Sequence, residues 1–241
     1  MLKRIAFCGA ILLSGTSAFA DIYNAVNDFP TVGPLTLAIS GVWSYGYATT
    51  LSPVVDFAPD LAAPNYFGDG NASGFSEFGG TSLPTVLKNT TGSTIPIEAA
   101  TIGPWPADLL LLHPGSAGQD SVVRFTAPAS ATYVVTGEFQ EIGDNISNGA
   151  NGVTTDSIIR SGSSLFSVSS SSTAAMFSFS THLNAGDTLD FAVGLGPQNQ
   201  FSFDSTGFNA IISPTPEPGF YGVLALGLTG VVVAIRRRKI A

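Results

Sequence analysis

A two-residue alternation recurs along the body of this chain, and nothing else in the sequence restricts its folding as strongly. The clearest instance is TLDFAVGL, Thr188–Leu195, which sends Leu189, Phe191, Val193 and Leu195 to one face. A period of two suits the pleat of a strand and does not suit a helix. Ala185-Gly186-Asp187, just before it, has the composition of a tight turn. Phe177, Phe179, Thr181 and Leu183 alternate in the same way with Ser178, Ser180 and His182. Tyr133, Val135 and Phe139 continue the pattern after the proline-marked entry Thr126-Ala127-Pro128. Phe166 with Val168, and Phe201 with Phe203, read as the inward residues of two further strands. Such segments recur roughly every 10–15 residues with turn residues between them, which predicts an all-β fold, an antiparallel β-sandwich of jelly-roll type. The Gly- and Asn-rich stretches Gly68–Gly80 and Gly143–Gly152 read as long loops.

Both ends depart from this grammar. Lys3 and Arg4 precede an apolar run, Ile5–Leu13, and small residues lead to Ala18-Phe19-Ala20. That order predicts a secretory signal peptide over residues 1–20, cut by signal peptidase after Ala20 so that the exported protein begins at Asp21. Cys8 does not make a lipoprotein signal, because Phe7 stands where a small residue is required. At the other end, residues 214–241 read PTPEPGFYGVLALGLTGVVVAIRRRKIA. Pro216-Glu217-Pro218 leads into an uncharged run, 219–235, followed by Arg236, Arg237, Arg238 and Lys239. The run predicts a single transmembrane helix of roughly 25 Å, with the basic stems snorkelling to cover the small remaining thickness. Arginines beside a membrane segment stay cytoplasmic, so everything before Pro214 is expected on the far side.

The exported body therefore runs from Asp21 to Ser213, long enough for one sandwich core without cross-links. Disulfides are not expected, since the one cysteine, Cys8, lies in the predicted signal peptide. Between Asp21 and Ser213 three cations, Lys88, Arg124 and Arg160, stand against sixteen acids, a net of −13. Such a surface repels phosphate backbones, which argues against a nucleic-acid partner.

The triplet, the short apolar helix and the arginine tail together resemble the PEP-CTERM sorting signal of exported bacterial proteins. That resemblance covers residues 214–241 and implies a Gram-negative source. It also implies passage through the export machinery, anchoring in the inner membrane, and a membrane-embedded protease of the exosortase type that cuts near Pro216-Glu217-Pro218. It further implies delivery to the cell surface, in association with exopolysaccharide or extracellular matrix. An uncut tail anchor is the alternative. Arg124-Phe125-Thr126-Ala127-Pro128, Thr132–Gly137 and Phe191–Gly194 resemble phrases of secreted bacterial jelly-roll modules, many of which bind carbohydrate.

Candidates for chemistry are few. His113 and His182 are the two histidines, and no Gly-x-Ser-x-Gly elbow accompanies them, so no Ser-His-Asp triad is expected. Glu138 with Glu141, and Asp187 with Asp190, are odd numbers apart and fall on opposite strand faces, which does not suit a paired-carboxylate glycosidase site. The chain is expected not to be an enzyme, and its soft ligands are too few for zinc. No metal site or cofactor is assigned. Asp69 and Asn71, and Asp144, Asn145, Asn148 and Asn151, offer hard oxygens that calcium accepts, although the same residues make turns without metal. Trp43, Tyr45 and Tyr47 alternate onto one strand face, and Trp105 lies between two prolines. These four rings are the sequence's candidate carbohydrate-binding platform, against the competing reading that they fill the core.

Overall fold

In the computed structural model, residues 21–53, 55–97, 102–143, 152–170 and 173–215 are described, together with 227, 229, 230 and 235 in the tail. Their strands, numbered in chain order, are β1 (Tyr23–Asn24), β2 (Ile39–Ser40), β3 (Trp43–Ala48), β4 (Ala58–Pro59), β5 (Leu61–Ala63) and β6 (Ala72–Ser76). Then come β7 (Thr85–Asn89), β8 (Ile95–Ile97), β9 (Ile102–Trp105), β10 (Leu110–His113), β11 (Asp120–Thr126) and β12 (Ala131–Glu141). The last are β13 (Thr154–Arg160), β14 (Ser163–Ser169), β15 (Ala175–Leu183), β16 (Thr188–Leu195) and β17 (Thr206–Pro214). All their pairings are antiparallel.

Two sheets carry the fold. The first has the order β15-β12-β17-β10-β7-β6-β5, with β1 added along β17; the second runs β14-β13-β16-β11-β3-β2, with β4 added along β3. β8 and β9 form a separate hairpin. From β10 onward the chain passes to the opposite sheet at every connection except β13 to β14. The alternation read from sequence is realised in β15, where Phe177, Thr181 and Leu183 are buried while Ser178, Ser180 and His182 are exposed; in β16 Leu189, Phe191 and Val193 face the main core, but Asp190, Ala192 and Gly194 on the other face are buried as well. Facing side chains then join the sheets. Tyr45 of the second sheet stacks on Phe75 of the first at 5.2 Å and 5°, and Phe191 meets Phe208 at 5.0 Å. Each buried Phe contributes about 1.5–3 kcal/mol by leaving water.

Several local expectations are corrected. Ala72–Ser76, inside the stretch read as a loop, is a strand between β5 and β7. Its glycine and serines hide it from a reading based on β-branched and aromatic residues. Phe201 and Phe203 lie in a turn before β17, not in a strand, and Phe203 has φ 68°. In the tail, Gly227, Thr229, Gly230 and Ile235 are helical, and among the described residues no helix is long and apolar enough to cross a membrane. The rest of the expected 219–235 helix lies outside the described residues, as do Pro216-Glu217-Pro218, Arg236–Lys239, and the signal peptide with Ala18 and Ala20.

Around β6, β7 and β10 the first sheet is covered on both faces. Val86, Leu110, Leu112 and Phe208 point into the main core, whereas Leu87, Leu111, Leu109 and Ile142 belong to a second cluster on the outer face. Ala63, Tyr66, Ile97 and Trp105 lie over that outer face and complete the second core.

Candidate functional site

The second core does not close completely, and the site is built on the opening it leaves. Antiparallel register sets Leu111 beside Leu87 and His113 beside Thr85. Residues two apart share a face, so Thr85, Leu87, Leu111 and His113 make one outward-facing floor. Ile97 and Ile102 of the β8–β9 hairpin rise on one side, and Tyr66 and Phe67 stand nearby with rings edge to face at 5.0 Å and 89°. Tyr66 is fixed by its hydroxyl, which donates to the Ser82 carbonyl at 2.9 Å. The turn before β17 supplies Phe201, Phe203 and Ser205. The cleft between these walls has a volume of about 890 Å³.

Phe203 is held in an unfavourable conformation. A bulky side chain at φ 68° is a genuine outlier, and such strain persists only where the surroundings enforce it. They do so here through Gly143 and Gly152, at each of which an added Cβ would stand 2.0 Å from the Phe203 carbonyl oxygen. The neighbouring Phe201 remains 41% exposed, a large ring left facing water.

The polar groups of the cleft are specific. His113 Nδ1 lies 2.9 Å from the Pro114 carbonyl oxygen. A carbonyl only accepts, so Nδ1 carries the proton and Nε2 keeps its lone pair in the neutral ring. Burial lowers the His113 pKa from 6.5, more than the bond to Pro114 raises it. Asp69, at the rim, accepts from the Asn71 backbone N–H at 2.9 Å and from Asn71 Nδ2 at 3.0 Å. Asp69 is the one carboxylate among the described lining residues, which also include Thr81 and Ser202.

The platform expected from sequence is not there. Trp43, Tyr45 and Trp105 are each 0% exposed and belong to the cores, so they offer no ring face to a ligand. Trp43 Nε1 donates to Asp28 at 3.2 Å, and Trp105 Nε1 to the Leu109 carbonyl at 2.9 Å. Trp105 is a strand residue in β9, not a loop residue. Tyr47 alone of the four keeps partial exposure. Alternation fixed a common direction for Trp43 and Tyr45, but that direction is the interior.

The remaining candidates also separate. Asp190 is buried against Arg124, whose Nε and Nη2 donate to it at 2.5 and 3.1 Å, while half-buried Asp187 accepts from the Asn184 N–H at 2.9 Å. Glu141 is buried and accepts from the Gly143 N–H at 2.5 Å, while Glu138 is only half-buried. His182 is exposed, with Ser130 Oγ 3.5 Å from its Nε2, and no carboxylate bonds it among the described residues. Of the calcium candidates, Asp69 and Asn71 bond each other, and Asp144, Asn145, Asn148 and Asn151 lie outside the described residues. Among the described residues no group of three His, Cys, Asp or Glu side chains is arranged to hold a metal.

Three further buried acids, Asp60, Asp156 and Asp204, do not line the cleft. Asp60 is pushed up to about 8 by desolvation and then by the charge of Glu77. Burial likewise raises Asp156 to about 7 and Asp204 to about 6.

No family model and no curated protein matches this chain. Among solved structures it resembles a family 51 carbohydrate-binding module from Clostridium perfringens GH95 in complex with methyl-galactose, at 10% identity over 55% of this chain and 90% of that one, with a TM-score of 0.36. It also resembles a family 35 carbohydrate-binding module from an environmental isolate, at 14% identity over 55% and 98% of the two chains and a TM-score of 0.29. A family 35 module from Clostridium thermocellum aligns at 13% identity over 64% and 98%, with a TM-score of 0.26.

Proposed function

We propose that this chain is an exported, non-catalytic protein that binds carbohydrate in the cleft on the outer face of its first sheet. One observation carries the reading: an open cleft of about 890 Å³ sets aromatic walls beside a small, separate group of polar side chains. A sugar ring has the matching character, with apolar C–H faces and a rim of hydroxyls. Phe201 and Phe67 supply surfaces for the faces, while His113, Asp69, Thr81 and Ser202 supply partners for the rim. Apolar lining with a few placed polar groups is the general form of a small-molecule site. Among the described residues one carboxylate, Asp69, lines the cleft, where a paired-carboxylate glycosidase site uses two.

Delivery rests on the two ends of the sequence. A signal peptide over 1–20 would start export, and Pro216-Glu217-Pro218 with Arg236–Lys239 would hold the chain in the inner membrane until an exosortase-type protease releases it. The cleft would then meet exopolysaccharide or matrix at the cell surface.

The test is retention of the full-length protein on immobilised polysaccharides, compared with Phe201→Ala. A lost aromatic contact of about 0.5–1.5 kcal/mol weakens binding about 2–13-fold. Because Phe201 is 41% exposed, the variant should melt close to the parent. Polysaccharide binding that survives Phe201→Ala unchanged would place the site elsewhere.

A further inference from the structure

The cations of the exported body are all engaged away from the cleft. Lys88 Nζ donates to the Val26 carbonyl at 2.6 Å, and Arg124 is paired with Asp190. Arg160 Nη1 bonds Thr181 Oγ1 at 3.0 Å and the His182 carbonyl at 3.2 Å. None of the three lines the cleft, and among the described residues its one fixed charge is Asp69. An anionic group entering it would lose water without meeting a counter-charge, and burying an unpaired charge is expensive.

The imidazole sets a second requirement. His113 Nδ1–H is committed to the Pro114 carbonyl, and Nε2 has no hydrogen-bond partner among the described residues. A ligand that satisfies this nitrogen in the neutral ring has to donate a hydrogen bond. A sugar hydroxyl does so; an ionised carboxylate or sulfate cannot.

We infer that the cleft selects uncharged sugars over uronate- and sulfate-bearing ones, and that His113 Nε2 reads one ligand hydroxyl as a hydrogen-bond acceptor. This rests on the carbohydrate reading above. It goes beyond that reading in assigning the ligand's charge class and the residue that senses a hydroxyl. Protonating Nε2 turns it into a donor, so affinity should hold from pH 8 to pH 6.5 and fall at lower pH. The other titratable side chains lining the cleft are Asp69 and Tyr66. Their contribution to any pH effect is removed by running the same profile on His113→Phe.

The experiment pairs polymers that share a backbone and differ in charge: dextran with dextran sulfate, and methyl-esterified with de-esterified polygalacturonan. The full-length protein is titrated with each at 0.5 M NaCl, where the general repulsion of an acidic surface is screened within a few ångströms. The expected result is at least ten-fold tighter binding to the neutral member of whichever pair binds. His113→Phe should bind that neutral member roughly five-fold more weakly, as loss of one hydrogen bond implies, with a flat profile between pH 8 and 5. His113→Gln, which keeps an acceptor at the end of the side chain, should recover part of the loss. Equal or tighter binding of the charged members overturns the inference while leaving a carbohydrate-binding protein. So does a parent pH profile identical to that of His113→Phe. Failure of all four polymers, and of other neutral glycans, to bind the folded protein overturns the proposed function itself.

Discussion

Replacing Asp60 by Asn isolates one electrostatic conflict inside the sandwich. Asp60 lies between β4 and β5, where the chain crosses from the second sheet to the first. It is 4% exposed, and neither carboxyl oxygen has a hydrogen-bond partner among the described residues. Desolvation, with Glu77 as a second contributor, raises it from 3.8 to about 8. Four units correspond to a conflict on the order of 5 kcal/mol between the charged form and its site. Because the folded pKa lies above the unfolded one, the folded state holds the extra proton between them. The contribution to stability is therefore full below about pH 4 and is lost as pH rises through about 8, at roughly 1.4 kcal/mol per unit. From pH 5 to pH 8 this one group costs about 4 kcal/mol, or about 8–16 °C in Tm for a body of this size. An amide keeps the shape and never ionises. Asp60→Asn should melt near the parent at pH 5 and well above it at pH 8. Asp156 and Asp204 titrate in both proteins, so the difference between the two melting profiles belongs to Asp60. Differential scanning calorimetry at the two pH values decides the matter: if parent and variant lose the same number of degrees, Asp60 is not the strained acid described here.

Arg124→Ala should cost about 3–5 kcal/mol in urea unfolding, since it leaves Asp190, 1% exposed, charged and unpaired; adding Asp190→Asn should recover much of that loss. Gly152→Ala places a Cβ 2.0 Å from the Phe203 carbonyl, so it should lower Tm and also weaken polysaccharide binding, whereas Trp105→Ala should chiefly destabilise, by about 3–5 kcal/mol. Glu217→Ala should leave the membrane anchor intact but slow release of the exported body, so that full-length protein accumulates in a pulse–chase fractionation; unchanged release would favour a plain tail anchor.

β15 and β16 were both legible from their alternation, but only β15 has one wet face. β15 alternates Phe and Leu against Ser and His because one side meets solvent. β6 was missed because it lies inside a sheet covered on both sides, where Gly74 packs its backbone against β7; an added Cβ would stand 2.1 Å from the Val86 carbonyl. For Trp43 and Tyr45, periodicity gave a shared direction but not which direction was inside, because Gly46 and Ala48 on the opposite face of β3 are buried too. The cleft was not legible either. Its residues come from near 66, 85, 100, 112 and 202, and only strand register brings them together. One signal was present: Gly196-Pro197-Gln198-Asn199 immediately before Phe201 is turn chemistry, which argues for displayed rings rather than for a strand.

Two separate cores on one sheet divide the labour of this molecule. The rings that join the sheets, Tyr45 on Phe75 and Phe191 on Phe208, do not line the cleft, while the β8–β9 hairpin, which lines it, forms a sheet of its own. Changes in that hairpin can reshape what the cleft accepts while the sandwich stands as before. A lineage carrying this body can therefore diversify its ligand through a handful of rim positions, treating the sandwich as a fixed chassis and the hairpin as its exchangeable face.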